Sequence, residues 1–168
     1  MIVHLVEHDP GWAQLFAREA ERIRRALGER VLGLEHVGST SVPGLAAKPI
    51  VDVLLVVADS ADEPAYVPLL EANGYVLRHR EPEWYEHRMF KGPDTDINLH
   101  IFSAGCPEVR RTVAFRDRLR ADAADRELYE RSKRELAQRD WPTVQDYADA
   151  KSPIVADILA RAGFTPSL

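Results

Sequence analysis

The 168 residues, 45% hydrophobic and 29% charged, suit one globular domain with a real core. The net charge of −5 argues against a protein that coats nucleic acid through bulk charge, and the lone Cys106 rules out an internal disulfide or a cysteine-based metal cluster. No run approaches the roughly 18–20 apolar residues of a membrane helix, and MIVHLVEHDPGW lacks the pattern of a secretory signal, so a cytoplasmic location is expected.

Asp9 and Pro10 supply an N-cap and a first helical residue for a helix ending at Gly28. Its apolar stripe is Trp12, Leu15, Phe16, Ala20, Ile23 and Leu27. VLGLEHV (31–37) reads as a short strand, and the β-branched run at 49–57 as a longer one buried on both faces. A helix is expected over 61–74, closed by Asn73-Gly74, then a strand over 75–80. Residues 87–102 read as a hairpin turning at Gly92-Pro93-Asp94. Three helical segments follow, near 107–120, 124–139 and 143–162, the last started by Thr143 with Asp146 three residues on. The expectation is a single α+β domain over 1–168, with an α/β core at 1–105 and a helical cap at 106–168.

Charge is unevenly spread. Residues 1–105 carry ten basic against sixteen acidic side chains, while 106–168 carry twelve against eleven. RRTVAFRDRLR (110–120) holds five arginines, read either as a solvated helix face or as a site for anionic groups, with Arg116 a candidate.

The chemistry concentrates in HVGSTSVPGLAAKPIVDVLLVV, residues 36–57. A glycine turn lets backbone approach a ligand closely, and neighbouring N–H groups and hydroxyls from Gly38, Ser39 and Thr40 can converge on a phosphate. Lys48 could add a point charge. Asp52 then falls within an apolar strand, where a carboxylate is costly unless paired, hydrogen-bonded or bound to a metal. In DTDINLHIF, alternation puts Asp96, Asn98 and His100 on one face. A hard cation takes one or two carboxylates plus phosphate oxygens.

A Gly-Ser turn followed by a strand aspartate resembles the signature of the nucleotidyltransferase superfamily, with its polymerase-β-like mixed sheet flanked by helices. His36 to Asp52 resembles the GrpB family (UPF0157 type) more closely, as do HDPGW, Leu99-His100-Ile101, FRDRLR, YERSKRELA and YADAKSPIVADILARA. The resemblance implies that carboxylates hold Mg²⁺ or Mn²⁺ against a nucleoside triphosphate while an acceptor attacks the α-phosphate. Carried over, Asp52 and His100 become catalytic, Asp52 and Asp96 metal-binding, and Gly38, Ser39, Thr40, Lys48 and Lys151 phosphate-binding. It also implies a functional link to dephospho-CoA kinase, to which relatives of the family are joined.

One departure matters. The usual second carboxylate is absent, because the strand reads Asp52-Val53-Leu54. This leaves an inactive module binding a nucleotide or coenzyme A precursor as the alternative, with a histidine-based metal hydrolase as an outsider lacking any HExxH spacing. Other candidates have structural readings beside the functional one. His36 reads equally as a core histidine, Cys106 as structural, and Tyr129/Lys133, four apart, as a ring over a lysine stem. Tyr147/Lys151 has the same spacing and is read as facing phosphates.

Overall fold

A computed structural model of the chain describes residues 1–164. Five strands form one mixed sheet: β1 (Gly33–Val37), β2 (Val51–Val57), β3 (Val76–Glu81), β4 (His87–Lys91) and β5 (Ile97–Ser103), in the spatial order β1-β2-β5-β4-β3. β2 and β5 run parallel at the centre, and the other neighbours are antiparallel. The class is α+β, as the sequence leads one to expect.

Alternation along β2 and β5 decides which face is core. Val51, Val53, Leu55 and Val57, with Ile97, Leu99 and Ile101, pack under α1 (Gly11–Leu27) and α2 (Val67–Ala72) through Trp12, Ile23, Leu27 and Leu70. The opposite face carries Asp52, Asn98 and His100, and there Leu54 and Phe102 meet α3 (Pro107–Ala121) through Val109 and Val113. Three polar side chains are thus aligned along the central strands, on the face turned toward the second half of the chain.

Local chemistry sets the element ends. Asp9 Oδ1 accepts from the Gly11 N–H at 2.8 Å and starts α1. Glu19 lies on the apolar side of α1, fully buried, where it accepts from the Tyr75 hydroxyl and sits within 3.6–3.8 Å of Arg22 and Arg18. The helix expected over 61–74 is shorter than predicted. Pro64 and Pro68 confine it to one 3₁₀ turn at 63–65 and the six residues of α2.

The chain's last third supplies α3, α4 (Ala123–Ala137), α5 (Val144–Ala150) and α6 (Ser152–Arg161). Thr143 Oγ1 accepts from the Asp146 N–H at 3.1 Å and starts α5. The single helix expected over 143–162 is two, since Pro153 has no N–H to continue the ladder, and Lys151 sits at the break. Val42 and Leu45 pack with Leu119, Tyr129 and Ile158, while Val3 and Leu5 pack with Ala137 and Tyr147. The chain's first residues therefore join the helical layer, and Val6 bridges Ala47. Among the described residues no helix is long and apolar enough to cross a membrane.

Most of the arginines of α3 are internal staples. Arg116 donates to Glu35 at 2.6 Å and to the His36 carbonyl at 3.1 Å, Arg118 to Asp125, and Arg120 to the Ser41 carbonyl. Only Arg111 and Arg116 also border the cleft described next.

Candidate functional site

β1 ends at Val37, the register partner of Asp52, so the following Gly38 lies against the Asp52 carboxylate. Gly38 has φ +72°, and a Cβ there would collide with Asp52 Oδ2. Glycine is required twice over, by backbone angle and by close approach. Ser39–Ser41 then form one 3₁₀ turn.

Lys133 of α4 reaches this turn. Its Nζ donates to Ser39 Oγ at 2.7 Å and to the Ala46 carbonyl at 2.8 Å, with the Tyr129 ring 5.3 Å away. Burial, and then the neighbouring charge of Lys151, lower the Lys133 pKa to about 7. Burial and Lys48 lower that of Lys151 to about 8, against an opposing pull from Asp52. Lys48 and Lys151 both lie over the Tyr147 ring, at 5.9 and 4.6 Å. Three ammonium groups thus converge with Asp52, the one carboxylate lining the same space among the described residues.

That space is a cleft of about 380 Å³ between the sheet and the helices, bordered by the Gly38–Thr40 turn, the three lysines, Asp52 and Asn98. Asn98 Oδ1 and Tyr147 Oη, on residues that border the cleft, are buried without a hydrogen-bond partner among the described residues. The fold around the cleft leaves both unsatisfied.

Asp52 faces the cleft and is 28% exposed. Its Oδ1 is 3.1 Å from His100 Nε2, His100 Nδ1 is 3.0 Å from His87 Nε2, and His87 Nδ1 is 2.8 Å from Glu81 Oε1. A hydrogen-bonded chain therefore runs from the cleft through the sheet edge to a half-exposed glutamate.

Among the described residues no group of three His, Cys, Asp or Glu side chains can hold a metal ion. Asp52 and the Asn98 amide oxygen are register partners, but lysines occupy the space where further carboxylates would be needed. The donor set does not fit a two-metal centre.

A family model described as GrpB protein matches residues 2–161. The chain belongs to the GrpB family. It is 63% identical over 163 residues to a UPF0157 protein of Halalkalibacterium halodurans, a match covering 97% of this chain and 84% of that protein. It is similar to the crystal structure of the conserved protein GrpB from Enterococcus faecalis, with a TM-score of 0.80 and 32% identity over 95% of this chain and 96% of that one. It is also 32% identical over 186 residues to a dephospho-CoA kinase of Mycolicibacterium paratuberculosis, spanning 95% of this chain and 46% of that protein.

Within this GrpB-family chain, Gly38, Ser39, Thr40, Lys48, Asp52 and Lys151 all border the cleft. His100 lies one step behind Asp52. Asp96 stands apart: it precedes β5, its carboxylate pairs with Lys91 Nζ at 2.9 Å, and it does not border the cleft. His36 is a core histidine, stacked on Phe16 at 5.0 Å and bonded to Thr40 at 2.9 Å.

Two participants lie outside the sequence expectations. Lys133 packs over Tyr129 as its spacing suggests, yet its ammonium also holds Ser39. His87 had no signal in chain order; it lies diagonal to His100, two residues from Met89, the register partner of His100, and so depends on the β4–β5 pairing.

Proposed function

We propose that the cleft binds the polyphosphate of a small molecule, with a nucleoside triphosphate as the reading that best joins its parts. The observation that carries it is Lys133, buried, bonded to Ser39 and crowded by Lys48 and Lys151. Desolvated ammonium groups repel one another, and a polyanion removes that repulsion while accepting their hydrogen bonds. The Gly38 turn brings backbone to the same place. Mg²⁺ or Mn²⁺ enters this reading as a companion of the triphosphate, part of the substrate, and the lysines neutralise phosphate charge.

Transfer of a nucleotidyl group needs an acceptor that loses a proton as it attacks the α-phosphate. Asp52, backed by His100, is the carboxylate in the cleft able to take that proton. A cytoplasmic location, where nucleotides are abundant and a lone thiol stays reduced, belongs to the same proposal.

A specific observation favours a second reading, an inactive module for a nucleotide or coenzyme A precursor. Leu54, at the usual second-carboxylate position, is buried against Val37 and Phe102. Coenzyme A precursors also carry phosphates, and similarity to part of a dephospho-CoA kinase supports a functional link with that activity.

Calorimetry and thermal shift across the common nucleoside triphosphates, inorganic tripolyphosphate and dephospho-coenzyme A, each with Mg²⁺ and with Mn²⁺, test the cleft. Saturable binding abolished by Lys151→Met supports it; silence from every polyphosphate defeats it. Pyrophosphate release lost in Asp52→Asn separates the transferase from the inactive module.

A further inference from the structure

A second cavity of about 220 Å³ adjoins the cleft, and Gly38, Asp52 and Thr112 line both. Its chemistry is opposite. Val37, Leu54, Trp84 and Phe102 give it apolar walls, and its charged groups are the carboxylates of Asp52 and Glu108, with His100 beside Asp52. None of its lining residues is a lysine or arginine.

Glu108 is incompletely paired. Its contacts with Arg111 and Thr112 are both long, at 3.5 Å, and burial raises its pKa, the sign of a carboxylate short of positive charge. Trp84 stands edge-on to His87 at 5.0 Å and Phe102 at 5.5 Å, and stays 40% exposed. The two residues after it, Tyr85 and Glu86, have φ of +56° and +52°, unusual for side-chain-bearing residues. A strained turn thus presents an indole beside two carboxylates at the edge of an anion site.

An anion entering there meets Asp52 and Glu108 and is repelled. A neutral apolar molecule leaves Glu108 with only its long contacts to Arg111 and Thr112. An ammonium on an apolar body meets opposite charge and an aromatic ring. We propose that this second cavity is a subsite for a small amine with an apolar body, its ammonium held by Asp52 and Glu108 beside the Trp84 ring. The amine's role as acceptor rests on the triphosphate reading; its binding does not. In that role the ammonium first loses a proton to Asp52, passed through His100 and His87 to solvent at Glu81. The neutral amine then attacks the α-phosphorus of the nucleoside triphosphate, a P–N bond forms, the bond to the bridging oxygen breaks and pyrophosphate leaves. The second proton follows the first.

The test titrates the full chain with phenethylamine, 2-phenylethanol and phenylacetate, following the indole N–H signal of Trp84 by NMR with Trp12 and Trp141 as internal references. Phenethylamine is expected to shift Trp84 saturably, 2-phenylethanol to bind at least about tenfold more weakly, and phenylacetate not to bind. Glu108→Gln weakens the amine at least about tenfold and spares the alcohol, while Trp84→Ala, which lacks the reporter and is followed by calorimetry, weakens both; tripolyphosphate binding is unchanged in each. No saturable shift with phenethylamine, equal binding of amine and acid, or an unaffected Glu108→Gln overturns the subsite. Loss of tripolyphosphate binding with the amine response intact instead defeats the cleft reading alone.

Discussion

His87 Nε2 lies 3.0 Å from His100 Nδ1, in the middle of a chain whose ends are two carboxylates, Glu81 and Asp52. Three hydrogen bonds need three protons, and two neutral imidazoles bring only two. With both histidines neutral and donating outward, the central nitrogens would face each other as lone pairs. The geometry therefore calls for one extra proton shared along the chain.

Burial lowers the His87 pKa, opposed by its bond to Glu81 and assisted by the nearby His100 and His79. Replacing Glu81 with Gln removes the charge that favours protonation at His87. The His87 titration, followed through its imidazole Cε1–H signal, is expected to move to lower pH. Titrations superimposable on the wild type would show that the four groups do not act as a chain.

The lowered lysine pKa values give the proposed anion binding a definite expected pH dependence. Lys133 and Lys151 lose their protons near pH 7 and 8 in the free protein, and a bound polyphosphate stabilises the charged forms. Affinity for tripolyphosphate is expected to be highest below pH 7 and to fall as pH rises through 8, with protons taken up on binding near pH 8. Calorimetry in buffers of different ionisation enthalpy measures that uptake directly. Lys151→Met removes a crowded charge that has no carboxylate bonded to it among the described residues, so it is expected to raise Tm at pH 7 while losing tripolyphosphate binding. A lowered Tm would mean that Lys151 braces the fold.

What the sequence revealed here follows the range of the forces involved. The apolar run of β2 and the Gly92-Pro93-Asp94 turn are local, and both produced the expected strands. Gly38, Ser39 and Asp52 were legible together because an antiparallel pairing of β1 with β2 folds that stretch back on itself. Lys133 lies 94 residues from Ser39, and nothing local distinguishes its ammonium from that of a lysine on a solvated helix. Asp96 lies apart from the cleft for a local reason: alternation holds only inside a strand, and β5 starts one residue later. The helix break at Lys151 is written in Pro153, whose ring nitrogen cannot donate to the helical ladder.

Gly38→Ala tests the closeness of turn and strand. The substitution strains a backbone at φ +72° and drives its Cβ into Asp52 Oδ2. Turning the Asp52 carboxylate away disturbs its bond to His100 and still leaves the new Cβ 3.1 Å from Asp52 Cβ. The expected cost is about 2 kcal/mol in denaturant unfolding, with loss of polyphosphate binding because Asp52 and Ser39 are both displaced. A variant with wild-type stability would place Gly38 elsewhere than against Asp52.

His36 sets an acid limit on the fold. Burial, with the charges of Arg120, Arg116 and His8 against that of Asp52, lowers its pKa from 6.5 to about 4. Above pH 6.5 the imidazole is neutral in both folded and unfolded chains and contributes no pH dependence. Between 6.5 and 4 the unfolded chain binds a proton that the folded one refuses, so stability falls as pH falls. The loss from this residue reaches about 3 kcal/mol at the folded pKa and stays constant below it. His36→Gln keeps a hydrogen-bonding group beside Thr40 but cannot titrate. Urea unfolding of both proteins from pH 7 to pH 4 should therefore show the variant losing less stability than the wild type, the gap opening below pH 6.5. Parallel curves would mean that His36 takes up its proton in the folded protein as readily as in the unfolded chain.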